Sequence, residues 1–184
     1  MPLLGPVPRK LIHTREIRCT GYERDDGLWD IEGRITDVKT YSFGTQDRGG
    51  INAGEPMHDM SVRLTLDDDL VVHAAEASTD WAPHTMCGDI TDGVASLKGE
   101  RIAAGWTKVV HGKIGRTLGC THIVQLLVGP VATTVFQTIT PIVNRRRKKT
   151  GTSTKPRFLG SCYTYAPESP VVKRMWPEHY TGPE

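Results

Sequence analysis

The sequence predicts an α+β fold in which an antiparallel sheet is followed by packed helices, one of them long and kinked by proline. Period-two alternation of apolar and polar residues is confined to the first half of the chain, at residues 31–38 and 60–66. Helical periodicity begins only after Pro83. Strands that precede helices, instead of alternating with them, favour an antiparallel sheet.

The chain is long enough for one domain with its own core. It has 184 residues, of which 38% are hydrophobic, and domains commonly run to roughly 100–200 residues. Pro2, Pro6 and Pro8 forbid a helix at the start of the chain. We therefore predict an extended N-terminal arm at residues 1–11 and a single domain at residues 12–180.

The predicted sheet contains one isolated strand and one hairpin. Residues 31–38 alternate in polarity and change phase near Asp37, which indicates a bulge. Residues 60–66 form the cleanest strand, and Asp67, Asp68 and Asp69 turn the chain into residues 70–76. If this turn is symmetrical, opposed residues have numbers that sum to about 136.

The helices are predicted from the spacing of apolar residues. Short helices follow Pro83 and are broken at Gly99 and Gly105. The longest helix runs over residues 121–139, and Pro130 inside it predicts a kink.

Charge and cysteine content limit the partners and the compartment. The net charge is +2, but five basic residues at 145–149 supply the excess, so we predict a solvated basic loop at residues 145–155 and no nucleic-acid partner. The four cysteines form no C-x-x-C pair and are expected to be free thiols. The start of the chain lacks a secretion signal, and no apolar stretch approaches about 20 residues. We expect a cytoplasmic protein with no membrane partner.

Several short segments occur together in a known order: 27–33 (GLWDIEG), 53–60 (AGEPMHDM), 74–77 (AAEA) and 119–122 (GCTH). With 161–163 (SCY) and 176–177 (WP), they resemble the bacterial family called domain of unknown function 2889, from Ile12 to Tyr180. The family commonly has an acidic residue where this chain has Gln125. The resemblance implies a bacterial cytoplasmic protein associated with the catabolism of aromatic compounds.

Four residues are candidates for acid–base catalysis: Glu55, His58, Asp59 and Glu76. His58 ends an apolar strand face and titrates near neutrality, while Glu76 lies among alanines, where burial raises a carboxyl pKa. The predicted register places His58 one diagonal step from Glu76. The structural alternatives are a core histidine bonded to backbone and a glutamate paired with Arg24 or Arg63.

Five further residues are candidates for binding an aromatic substrate: Tyr22, Arg24, Trp29, Tyr41 and His122. An alternative hypothesis is that His58, Cys87, Cys120 and His122 together bind a zinc ion. Their spacing resembles no known zinc motif, so we expect no metal.

The chemistry expected from these residues needs no cofactor. The sequence contains no G-x-G-x-x-G, no phosphate-binding loop and no G-x-S-x-G, which disfavours nicotinamide, nucleotide and serine-nucleophile chemistry. We expect a homo-oligomeric lyase that acts by acid–base catalysis on a small lignin-derived aromatic alcohol, with carbon–carbon cleavage that releases formaldehyde. The alternative is a non-catalytic module that binds a ligand or a protein.

Overall fold

Four antiparallel strands form one sheet in chain order: β1 (His13–Glu23), β2 (Trp29–Lys39), β3 (Pro56–Leu66) and β4 (Val72–Trp81). The computed structural model describes residues 3–151, 156 and 158–183. The chain divides into two compact units, residues 1–139 and 140–184, and the sheet belongs to the first. An antiparallel sheet followed by helices confirms the predicted α+β class.

The two faces of the sheet differ in burial, as alternating strands require. Ile31 and Ile35 of β2 and Met60 and Leu64 of β3 are fully buried on the face that helices cover. The opposite face is open and holds a groove of about 530 Å³. Arg63 is among the exposed residues that line this groove.

The helical part of the first unit starts with two 3-10 segments, Thr85–Gly88 and Thr91–Leu97. Helix α1 (Trp106–Ile114), a 3-10 turn at Arg116–Leu118 and the long helix α2 (Thr121–Lys149) follow, and α2 continues past residue 139, where the first unit ends. Gly99 and Gly105 fall between the short segments, as predicted. In contrast to the expectation that no apolar stretch is long enough, helix α2 could cross a membrane by length and composition alone. The core helix of a soluble protein shares this property.

Helix α2 passes through Pro130 because it widens there into a π-helical turn, Leu127–Val131. Proline has no N–H, so the regular ladder cannot continue across it. Side chains satisfy carbonyl groups of the turn instead: Trp106 Nε1 donates to the Leu127 oxygen at 2.9 Å, and the Thr134 hydroxyl donates to the Pro130 oxygen at 2.9 Å. The proline is therefore accommodated without ending the helix.

The predicted basic loop at residues 145–155 is wrong in its first part. Helix α2 reaches Lys149, so residues 145–149 of the predicted basic loop are helical, whereas residues 152–155 lie outside the described part of the chain. Arginine and lysine are good helix formers, and cations are favoured at a helix C-terminus.

Strand β1 was not predicted, because exposed residues on both of its faces hide the alternation.

The β3–β4 hairpin is confirmed, but its predicted register is wrong. Arg63 lies opposite Glu76, so the paired numbers sum to 139 and not to 136. The turn is longer than a symmetrical one, since Asp67 N–H donates to the Val71 oxygen and Leu70 has a φ of 65°. A bulge beside the turn shifts the pairing further. The observed and predicted sums differ by three, and a change of register by an odd number of residues moves side chains to the other face of the sheet.

Two other segments are described by themselves. Residues 3–12 of the arm contain no helix, as the prolines predict. The second unit has a 3-10 turn at Tyr163–Tyr165, helix α3 (Pro170–Met175) and a further 3-10 turn at Pro177–His179. Its Tyr165 ring lies 5.5 Å from the Trp176 ring, so the aromatic residues of this unit pack together.

A close approach between sheet and helix at Gly33 generates the first prediction. A Cβ atom on Gly33 would lie 2.5 Å from Val131 Cγ2 in the π-helical turn, whereas one on Gly44 would have no heavy atom within 4 Å. We expect Gly33→Ala to lower the free energy of unfolding by about 1–3 kcal/mol through overpacking. Gly44→Ala is the control and should change it by less than about 0.5 kcal/mol. Urea unfolding of both variants measures the difference, and equal effects would contradict the assigned contact.

Candidate functional site

The site is built around Asp37, a fully buried aspartate near the end of β2. The register shifts between Asp37 and Val38, so the predicted bulge is present at this residue. Arg15 of β1 holds both carboxylate oxygens, with Nε 2.8 Å from Oδ1 and Nη2 2.7 Å from Oδ2. His13 Nε2 lies 2.8 Å from Oδ1. Neighbouring strand positions thus supply the charge that compensates the buried carboxylate.

Two further imidazoles reach Asp37 from other elements. His58 lies opposite it on β3, and its Nδ1 is 3.0 Å from Asp37 Oδ2. His122 is in the first turn of α2, and its Nε2 is 3.7 Å from the same oxygen. The two rings lie 3.9 Å apart between centroids at an angle of 37°. We call Asp37, His13, Arg15, His58 and His122 the Asp37 cluster.

Burial and charge set opposite protonation states in this cluster. Burial alone would raise the pKa of Asp37, but the hydrogen bonds from Arg15 and His13 outweigh it and lower that pKa to about 2. Burial lowers the pKa of His58 despite the nearby carboxylate, and it lowers the pKa of His122 with help from the His58 charge. At neutral pH, the cluster therefore contains the ionised carboxylate of Asp37 beside the uncharged imidazoles of His58 and His122.

A second layer of polar contacts orients the cluster. Arg15 Nη1 donates to Gln125 Oε1 at 2.9 Å, so Gln125 of α2 continues the network. Cys120 directly precedes α2, and its Sγ lies 3.6 Å from His122 Nδ1. The thiol also donates towards Met60 Sδ at 3.6 Å. The contact between Cys120 and His122 Nδ1 leaves Nε2 of this ring directed at Asp37.

Aromatic residues follow Asp37 at the same end of β2. The Tyr41 and Phe43 rings lie 6.1 Å apart, and Lys39 Nζ lies 4.4 Å from the Phe43 ring centroid. The Tyr41 side chain is partly exposed. An apolar surface with an adjacent cation suits an aromatic ring that carries negative charge.

The four predicted catalytic residues do not form one site. His58 joins the Asp37 cluster, but Glu76 lies on the open face and pairs with Arg63 at 3.4 Å. Asp59 is also on the open face, where it binds Arg34. Glu55 accepts the Asn52 backbone N–H in the preceding loop. The proposed contact between His58 and Glu76 is therefore wrong, because the true hairpin register places them on opposite faces.

The five predicted substrate-binding residues are similarly dispersed. His122 belongs to the Asp37 cluster, and Tyr41 lies in the segment that follows β2. Tyr22 lines the groove of the open face, and Arg24 binds Asp26 in a turn. Trp29 is a core residue with 1% exposure.

Sequence analysis missed Asp37, His13 and Arg15 as site residues. The bulge at Asp37 was the available signal, because bulges occur next to active sites and re-aim side chains. Asp37, His58 and His122 also offer three potential metal ligand atoms within 4.8 Å of one another. The predicted zinc set shares only two of its members with this group.

The fold and the cluster define an α+β protein with a buried polar centre between a sheet and its covering helix. The sequence pattern of the family described as "Protein of unknown function (DUF2889)" matches residues 13–137. The chain belongs to this family. The match contains the whole Asp37 cluster, whereas the similar segments at 161–163 and 176–177 lie outside it. No curated protein and no solved structure matches the chain.

The ion pair between the buried carboxylate of Asp37 and the guanidinium of Arg15 generates the second prediction. We expect Asp37→Asn to lower the free energy of unfolding by about 3 kcal/mol, since it breaks a buried ion pair by removing one partner. Asp59→Asn is the matched control, because Asp59 is also buried but its partner Arg34 is 57% exposed. That change should cost about 1 kcal/mol or less. Urea unfolding in the presence of a chelator compares the two.

The pH dependence of the stability of Asp37→Asn tests whether the carboxylate charge causes the loss. The folded pKa of Asp37, about 2, lies below the ordinary value near 3.9. Its stabilising contribution is therefore present above about pH 4 and is lost as the pH falls towards 2. The difference between wild type and Asp37→Asn should shrink over this interval. A difference that stays constant there would show that the carboxylate charge is not the cause.

Proposed function

We propose that the chain is a lyase that cleaves a carbon–carbon bond beside the primary hydroxyl of a small aromatic alcohol and releases formaldehyde. The observation that carries this proposal is the Asp37 cluster. It combines an ionised, fully buried carboxylate with the uncharged imidazoles of His58 and His122, and these groups can accept and donate a proton at neutral pH. The family resemblance to proteins of aromatic catabolism supplies the substrate class.

The surroundings of the cluster support an aromatic substrate. Tyr41 and Phe43 offer ring surface at the same end of β2, and Lys39 places a positive charge beside them. An aryl group that stacks there would bring its side-chain hydroxyl towards Asp37. The Lys39 ammonium would stabilise the phenolate that forms when an aryl ether leaves.

The proposed reaction balances without an external oxidant, reductant or water. The cluster takes the proton of the primary hydroxyl, and the oxygen electrons form the carbonyl of formaldehyde. The electron pair of the broken carbon–carbon bond forms a carbon–carbon double bond, which gives a stilbene. The aryl ether oxygen on the adjacent carbon leaves with its bonding electrons and receives the proton.

A non-catalytic binding module is the second candidate from the sequence. The polar groove of the open sheet face provides a surface for such a role, since it is lined by side chains from all four strands. A binding module would bind an aromatic compound and release it chemically unchanged.

The third prediction concerns turnover. Purified protein is incubated with lignin-derived dimers that carry a free primary hydroxyl, and formaldehyde and stilbene absorbance are measured. We expect His58→Gln to slow turnover by at least about 100-fold, the usual scale for losing a proton-transfer group. His73→Gln is the matched control, because His73 also lies 3.0 Å from an aspartate but sits outside the cluster.

The outcomes separate the two candidates. Formaldehyde and stilbene in equal amounts, lost in His58→Gln and kept in His73→Gln, support the lyase. Tight binding of one dimer with no product would establish the binding module instead. Equal loss of turnover in both histidine variants would place the chemistry outside the Asp37 cluster.

A further inference from the structure

Three potential ligand atoms converge in the Asp37 cluster: Asp37 Oδ2, His58 Nδ1 and His122 Nε2. The two nitrogen atoms lie 3.0 and 3.7 Å from the carboxylate oxygen. Ligands bound tetrahedrally to zinc at about 2.0–2.1 Å are roughly 3.3 Å apart. We propose that these three side chains bind one divalent transition-metal ion.

The three ligands come from rigid elements that the fold holds in place. Asp37 and His58 are opposed on adjacent strands, and His122 lies in the first turn of a helix that packs on those strands. The carboxylate is fully buried, and the side chains of His58 and His122 are 12% and 18% exposed. Such a site differs from a group of acidic side chains on a surface, because solvent does not compete freely for its ligands.

The neighbouring contacts resemble the outer shell of a metal site. Ligating carboxylates and imidazoles are usually held by further hydrogen bonds, which orient them towards the ion. Arg15 and His13 hold Asp37 in this way, and Cys120 contacts His122 Nδ1, the nitrogen that faces away from Asp37. A carboxylate oxygen has two lone pairs, so Asp37 Oδ2 can bind an ion while it accepts from Arg15.

This geometry separates Cys120 from the ion. The thiol lies against one ring nitrogen of His122, while the other nitrogen is directed at Asp37. Cys120 therefore orients a ligand and is not one itself, in contrast to the zinc set considered from sequence. The sequence expectation of a metal-free protein and this proposal exclude each other.

Three protein ligands leave a coordination position open, as in catalytic zinc sites, where the fourth position holds water or substrate. The role of the ion rests on the lyase function proposed above. The ion would supply Lewis-acid polarisation of the substrate hydroxyl, and His58 and His122 would hold the ion as ligands. Imidazole with carboxylate suits zinc and also ferrous iron, so the shared class is a divalent transition metal.

The fourth prediction tests binding without activity. The full chain is stripped with a chelator, dialysed, and titrated separately with zinc, with ferrous iron under anaerobic conditions, and with cobalt(II) as a visible-absorption probe. We expect about one equivalent per chain by elemental analysis, as for one three-ligand site. The titrations rank the affinities of the site for zinc and ferrous iron.

Matched variants locate the site. His122→Gln and Asp37→Asn should lose stoichiometric binding and the cobalt absorption, whereas His73→Gln should keep both. Cys120→Ser should weaken binding by about 10-fold, the scale of an outer-shell change. Circular dichroism confirms that each variant is folded, and the cobalt spectrum of the wild-type chain provides a measurement that needs no variant.

The outcomes also distinguish this inference from the proposed function. Folded wild-type protein that takes up none of the three metals overturns the inference, as does uptake that survives both His122→Gln and Asp37→Asn. Turnover that persists at full rate after chelation overturns the metal role and leaves the lyase intact. Stoichiometric binding with no turnover supports the metal site and removes the lyase.

Discussion

The rest of the first unit depends on the contact between Gly33 of β2 and the π-helical turn of α2. A side chain at this position would collide with Val131, so only glycine lets the helix lie this close to the sheet. Gly21 of β1 repeats the arrangement against Thr138 of the same helix. These two close contacts fix both the distance of α2 from the sheet and the direction of the helix axis. They thereby fix where its first turn, which carries His122, meets the end of β2.

The Asp37 cluster follows from this arrangement together with electrostatics. A buried carboxylate would ordinarily take up a proton, because a charge is costly away from water. Arg15 removes that cost by binding both oxygens, and the ionised group then attracts the neighbouring imidazoles. The centre is thus stable as a charged unit only while β1, β2, β3 and α2 hold their relative positions. It is a property of the assembled unit and of no single segment.

The sequence predicts the local periodicities of the fold but not its longer-range pairings. The strand at residues 31–38, its bulge, the hairpin and the long helix follow from the spacing of apolar residues. The hairpin register depends on a turn in which Leu70 has a positive φ, a conformation that an apolar residue seldom signals. Asp37 looks like an ordinary strand residue, because its partners lie far away along the chain. His58 was identified for its chemistry, yet its partner was assigned through the mistaken register.

The π-helical turn also explains a regular feature of α2. Buried apolar residues recur there at every fourth position: Ile123, Leu127, Val131, Val135 and Ile139. In a uniform α-helix, each step of four overshoots a full turn by about 40°, so four steps would accumulate roughly 160°. One extra residue in a widened turn absorbs about 100° of this rotation. The insertion therefore reduces the drift of the row to about 60°, and deletion of a single residue there would convert the widened turn into a regular α-helical turn without rotating the residues that follow it.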